Sequence, residues 1–178
     1  MTISETNIIG LLKIQPDVFE DHRGSFIKTF HFDVFKTLNL EVEWREEYFS
    51  ISHRNVLRGM HFQTPPHDHD KIVTCIEGKV LDVVIDLRKK SLTYNSIFSL
   101  ELSSENKTIL LIPKGCAHGF LSLADNSIMY YKVSKVYNAE SDYGIHWDSI
   151  GFNWPVESPI VSERDKKHPS LNEYFSPF

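Results

Sequence analysis

The chain has 178 residues, 41% of them hydrophobic, and a formal net charge of −5 with no long block of one sign. That length and apolar content argue for a single domain over residues 1–178 and exclude a disordered chain, while the charge argues against nucleic acid as the main partner and leaves room for a local basic pocket holding a compact anion. No apolar run reaches the roughly 18 residues of a membrane-spanning helix, and MTISETNIIG at the N-terminus lacks a signal peptide's basic and apolar regions, so a cytoplasmic protein without a membrane partner is expected.

In chain order, SFIKTF (25–30) alternates as a strand, with Phe26, Lys28 and Phe30 on one face. DVFKTL (33–38) reads as a short helix with Asp33 as its N-cap. KIVTCIEGKVLDVVIDLR (71–88) reads as two β-branched runs hinged at Glu77-Gly78, a hairpin signal. IFSLELSSENKTILLIP (97–113) repeats the pattern: Phe98, Leu100 and Leu102 alternate with Ser99 and Glu101, and SSENK turns the chain into 109–112. SIMYYKVSKVY (127–137) adds one or two strands, and the tail SERDKKHPSLNEYF (162–175) holds a turn or two of helix. Short strands at regular spacing with polar turns predict an antiparallel sandwich or barrel. Cys75 and Cys116 lie in apolar runs with no CxxC, which predicts reduced, packed thiols.

LRGMHFQ (57–63) sets Arg58 three residues ahead of His61 with Gly59 between them. Arg23 in DHRGSF also precedes a glycine, and an Arg-Gly pair lets a guanidinium approach a phosphate closely. The ordinary fate of both arginines is a surface ion pair. HDHDK (67–71) offers His67 and His69 two apart, and His118 follows in PKGCAH; on a strand, alternate imidazoles face one way and hold a metal. Lys71, however, places a cation where a ligand carboxylate is wanted, which argues against a metal and for a polar loop. His61, Lys71, His118, Tyr131 and Asp165 include an imidazole base, an ammonium suited to an enolate oxyanion, a phenol acid and an orienting carboxylate. Each taken singly has an ordinary structural reading.

DVFEDHRGSF, VLRGMHFQTPP, KIVTCIEGKVLDVVIDLR, IPKGCAHGFLSL, DNSIMYYKVSKVYNAESDYGIHWD and SPIVSERD, in this order over roughly residues 14 to 165, resemble the dTDP-4-dehydrorhamnose 3,5-epimerase family. The resemblance implies a mainly β, cupin-like jelly roll and a homodimer that needs no metal or other cofactor. It also implies an enzyme epimerising C3, C5 or both of a nucleoside-diphosphate 4-keto-6-deoxy sugar for surface-polysaccharide synthesis. His61 would be the base, Asp165 its partner, Lys71 the group stabilising the enolate at O4, and Tyr131 the acid on the opposite face of the sugar. Tyr131 is preferred to Tyr130 because it keeps the family's spacing to Asp125 and Tyr137. Arg23 and Arg58 would hold the diphosphate and His118 would line the pocket, with Phe26, Lys28, Glu46, Tyr48 and Tyr137 completing the substrate-binding set. In the family, the N-terminal strand (about 22–30 here) crosses to the partner subunit, which would put Arg23 at the neighbour's site.

The sequence departs from the family where the base is read. Lys28, Glu46 and Tyr48 stand where Glu, Gln and Asn are usual, and PPHDHDK differs from the loop before Lys71. An ionised Glu46 only accepts, which suits the paired N–H donors of guanine and favours a GDP-linked over a dTDP-linked sugar, with CDP open. A nucleotide-sugar 3,4-ketoisomerase and a metal-dependent or non-catalytic small-ligand cupin remain the alternatives.

Overall fold

A computed structural model describes residues 1–37 and 43–178. Among the described residues, thirteen strands form two packed sheets and a separate ribbon. The six-stranded sheet runs β1 (Thr2–Glu5), β2 (Leu12–Gln15), β10 (Ile109–Ile112), β7 (Lys71–Glu77), β12 (Ser127–Val133) and β5 (Glu46–Ser52). The five-stranded sheet runs β13 (Asp142–Gly144), β6 (Leu57–Gln63), β11 (Cys116–Ser122), β8 (Lys79–Asp86) and β9 (Ile97–Ser103). All of these strand pairs are antiparallel. β3 (Val18–Asp21) and β4 (Gly24–Ile27) make the ribbon.

The two-residue period of a strand sorts side chains between layers. Along β7, Val73 and Cys75 enter the core between the sheets, where they meet Val84, Leu110, Phe120 and Met129. Ile72 faces outward and packs with Phe35 of α1 (Phe32–Thr37), Ile14 and Leu111. β11 is buried along its whole length because its other face is covered as well: Ala117 lies among Met60, Val83 and Ile85, and Trp154, Leu171, Tyr174 and Phe178 from the C-terminal residues close over them. Phe98, Leu100 and Leu102 reach the central core, as their alternation predicts.

Four local expectations change. The runs around Glu77-Gly78 are not a hairpin: β7 pairs with β10 and β12, whereas β8 pairs with β9 and β11. Gly78 turns a corner between sheets with φ +74°, and a Cβ there would lie 2.7 Å from Ser127 Oγ. β9 and β10 are likewise in different sheets. Asp33 is not the cap, because the helix starts at Phe32 and the His31 carbonyl accepts the Phe35 N–H at 3.1 Å; Asp33 sits in the first turn, and Leu38 lies outside the described residues. Finally, β4 ends at Ile27, so Phe26 stays exposed on the ribbon while Phe30 packs against Phe35 and Trp44. Cys75 and Cys116 are buried free thiols, and burial pushes them up to about 11 and about 12.

Candidate active site

A cavity of about 360 Å³ opens between the sheets. β6 and β11 line it on one side, through Arg58, His61, Gln63, His118 and Phe120. β5, β7 and β12 line it on the other, through Glu46, Tyr48, Ser50, Lys71, Tyr131 and Val133. Lys135, Tyr137, Asp142 and Arg164 stand around these. Four cationic side chains therefore face two acidic ones, on a chain whose net charge is −5.

In a regular strand Arg58 and His61, three apart, would point to opposite faces. The register resolves this. His118 pairs with His61 and Phe120 with Arg58, so β6 carries one extra residue, a bulge, between them. Gly59 makes the bulge possible: its φ is +145°, and a Cβ there would lie 2.6 Å from the Gly119 Cα. Both Arg58 and His61 thereby face the cavity, while Met60 and Phe62 face the outer cluster.

Asp165 comes from the far end of the chain. The segment before it runs beside β6, with Val56 bridged to Ile160 and the Leu57 N–H donated to the Ile160 carbonyl at 3.0 Å. A short 3-10 turn, Asp165–Lys167, then buries the carboxylate behind His61. His61 Nε2 lies 2.8 Å from Asp165 Oδ1, the Gly59 N–H donates to Oδ2 at 3.3 Å, and His168 Nε2 stands 3.5 Å from Oδ1. Burial alone would raise this carboxyl, but His168, His61 and the Gly59 N–H outweigh it and hold Asp165 well below the usual carboxylate range. An ionised carboxylate only accepts, so His61 Nε2 carries the proton and Nδ1 is left as the basic nitrogen. Burial lowers the His61 imidazole below 6.5 despite Asp165, which keeps it neutral and able to take a proton at neutral pH.

On the opposite wall, Lys71 opens β7 and is buried; burial lowers its ammonium to about 8 against the pull of Asp82 and Asp142. Tyr131 is also buried, which pushes its phenol well up, and its hydroxyl lies 3.3 Å from Ser50 Oγ. Tyr130, next to it, pairs with Phe49 on the other face of the strand and is absent from the cavity wall. His118 is 4% exposed and held by Asp82 Oδ2 at 2.8 Å.

Of the three residues expected to read the base, Glu46 and Tyr48 come together at the cavity and Lys28 does not. Tyr48 lines the cavity but stacks on Tyr131, with centroids 4.7 Å apart and planes 17° from parallel. Glu46 lines it too, with Oε2 accepting the Tyr137 N–H at 2.7 Å. Lys28 is exposed, beyond β4, and does not line the cavity. Arg23 and Phe26 line a separate hollow on the ribbon, where Arg23 Nη2 pairs with Asp21 at 2.6 Å. Arg58 reaches the cavity with Nε donating to Ser52 Oγ and Nη2 to the Ile51 carbonyl. Of the His67–His69 pair, only His69 lines the cavity. Among the described residues, the one group placed to share a cation is His61, Asp165 and His168, not the HxH.

Sequence reading missed Ser50, Gln63, Asp82, Lys135, Asp142, Arg164 and His168. Gln63 alone carried a signal, since it lies two residues after His61 on the same strand face.

Comparison with known proteins agrees with this architecture. The sequence profile described as dTDP-4-dehydrorhamnose 3,5-epimerase matches residues 5–173. The chain is 42% identical over 174 residues to dTDP-4-dehydrorhamnose 3,5-epimerase of Methanothermobacter thermautotrophicus, covering 95% of this chain and 94% of that one. Among solved structures, it is similar to dTDP-4-dehydrorhamnose 3,5-epimerase from Bacillus anthracis with TDP and PPi bound, at TM-score 0.93 and 36% identity over 96% of this chain and 99% of that one. It is also similar to dTDP-6-deoxy-D-glucose-3,5-epimerase from Legionella pneumophila in complex with dTDP-4-keto-L-rhamnose, at TM-score 0.92 and 33% identity over 97% and 93% of the two chains. With its jelly-roll sheets and a cavity walled by His61, Lys71 and Tyr131, the chain belongs to the dTDP-4-dehydrorhamnose 3,5-epimerase family of isomerases.

Proposed function

We propose that the enzyme removes a proton α to the C4 ketone of a nucleoside-diphosphate 4-keto-6-deoxy sugar and returns one to the opposite face, at C3 and at C5. The observation that carries this reading is the division of proton-handling groups between the walls: His61 belongs to the five-stranded sheet and Tyr131 to the six-stranded one. Inversion requires loss and gain of a proton on opposite faces of one carbon. His61 Nδ1 takes the proton, and Asp165 steadies the imidazolium that forms. The enolate charge gathers on O4, where the Lys71 ammonium offsets it. Tyr131, protonated through the working range, supplies the new proton from the far wall. The ketone is itself the electron sink, so the reaction as written needs no redox cofactor. Arg58, Lys135 and Arg164 supply the positive charge for a diphosphate.

For the nucleotide we favour dTDP. The named relatives and the ligands in their structures support it. Glu46 and Tyr48, through the Tyr137 N–H and the Tyr131 ring, have partners that account for them without a purine. The guanine reading keeps one support, the second Glu46 oxygen on a residue lining the cavity.

A homodimer with an exchanged arm fits the rest. Arg23 and Phe26 lie on a ribbon whose Phe19 and Phe26 are each 62% exposed, away from this chain's own cavity. Phe49 and Ile51 are exposed on β5, which among the described residues pairs only with β12. Reduced, buried thiols support a cytoplasmic setting, and no helix among the described residues is long and apolar enough to cross a membrane.

The test is solvent exchange in D2O with dTDP- and GDP-4-keto-6-deoxyglucose. Wild type is expected to exchange C3 and C5 of the dTDP sugar. His61→Ala should lose about 10²–10⁴ in rate, and Tyr131→Phe should go on exchanging while forming little inverted product. His61→Ala within a few-fold of wild type removes His61 as the base. A tenfold preference for GDP, about 1.4 kcal/mol, removes the dTDP assignment.

A further inference from the structure

We propose that His69 is a catalytic residue of this site, a neutral imidazole whose Nε2–H hydrogen-bonds the substrate's C4 oxygen beside Lys71. The inference rests on the epimerase reading above and deepens it. His69 and Lys71 are two residues apart and both line the cavity.

The proton's position on His69 follows from Gln63. The Gln63 amide is oriented by its oxygen, which accepts the Asn138 N–H at 2.7 Å. Its nitrogen therefore faces the loop before β7, 2.9 Å from the His67 carbonyl and 3.1 Å from His69 Nδ1, with the Val136 carbonyl farther off at 3.4 Å. An amide has two hydrogens. The nearer carbonyl takes one and Nδ1 the other, so Nδ1 is an acceptor and the ring hydrogen sits on Nε2. The rival arrangement, Nδ1–H donating to the His67 carbonyl, would span 3.4 Å and set two donors against each other at Gln63. Nε2 has no acceptor among the described residues.

The segment is also held in place. The Asp70 N–H donates to Ser134 Oγ at 2.9 Å, and the Ser134 N–H returns to the Asp70 carbonyl at 3.0 Å. Asp70 Oδ1 accepts the Lys114 N–H at 3.1 Å. A donor held this way needs little reorganisation as charge develops on a substrate oxygen. Burial and the Lys71 charge lower the His69 imidazole to about 3 against the His67 carbonyl, so it stays neutral beside the ammonium. A neutral imidazole is a competent electrophile toward a carbonyl.

Two measurements test this. In ¹⁵N-labelled wild type at pH 7, long-range ¹H–¹⁵N spectra should find His69 protonated at Nε2 and bare at Nδ1; a proton on Nδ1 overturns the proposal whatever any variant does. In D2O exchange with dTDP-4-keto-6-deoxyglucose, His69→Phe should lower kcat by about 10²-fold with affinity for dTDP unchanged. His69→Gln, which restores an N–H donor, should recover to within about tenfold of wild type. His69→Phe within threefold of wild type, a loss that Gln does not restore, or a parallel loss of dTDP affinity each overturns the proposal. If wild type itself exchanges neither carbon, the epimerase reading fails, and this inference with it.

Discussion

Lys71 is where chemistry and stability pull apart. In the proposed mechanism its ammonium acts only if charged, yet burial lowers it from 10.5 to about 8, so charging it in the fold costs about 3 kcal/mol. The folded value lies below the unfolded one. The cost is therefore fully present below pH 8 and fades as pH rises from 8 to 10.5. Two consequences follow for Lys71→Met. At pH 7 the variant should melt several degrees above wild type, and the difference should close toward pH 10.5. The wild-type rate should fall above pH about 8 as the ammonium discharges, and on the acid side below 6.5, where His61 takes up a proton. Lys71→Met should lose the alkaline limb along with most of its activity. A variant less stable than wild type at pH 7 would contradict the cost; an unchanged alkaline limb would assign that limb to another group.

The bulge in β6 carries the site at the next scale up. It turns Arg58 and His61 onto one face, and it depends on the close approach of Gly59 and Gly119. A Cβ on Gly119 would meet Met60 Sδ at 2.7 Å and the Arg58 carbonyl at 2.8 Å. Gly119→Ala should therefore destabilise by about 1–3 kcal/mol and cut activity further than stability explains, because the strand that aims His61 must shift. Thermal melting and exchange rates on the same samples would check it; an alanine variant with native activity would mean the bulge tolerates the shift. None of this was legible in LRGMHFQ, where the glycine is visible but the partner strand is not. Lys71 and Tyr131 owed their roles to the family resemblance, and the inward face of β9 was legible from period-two alternation. Alternation could not distinguish a hairpin from a corner, since Glu77-Gly78 has the same turn chemistry whether the chain returns beside itself or crosses to the other sheet. Asp165 was found through its SERD context and not through any local pattern, because its contact with His61 spans 104 residues.

At the scale of the whole molecule, the substrate-binding set expected from the sequence is split between two places on one chain. The ribbon's Arg23 and Phe26 face a hollow of their own, while the chain's cavity has Arg58 but neither of them. Asp21 engages Arg23, but the pair is solvent-exposed and yields readily to a phosphate. If the ribbon serves the neighbour's cavity, the two requirements fall on different chains and are separable by mixing. Arg23→Ala should weaken nucleotide binding and His61→Ala should abolish proton abstraction, each as a homodimer. In a purified heterodimer of the two variants, one cavity would combine the native His61 of the first chain with the native Arg23 of the second. Such a heterodimer should recover about half of wild-type turnover at low substrate concentration. If each ribbon instead served its own chain, one cavity would lack His61 and the other Arg23. The mixture would then reach only about half the rate of the Arg23→Ala homodimer, and the exchanged arm would be excluded.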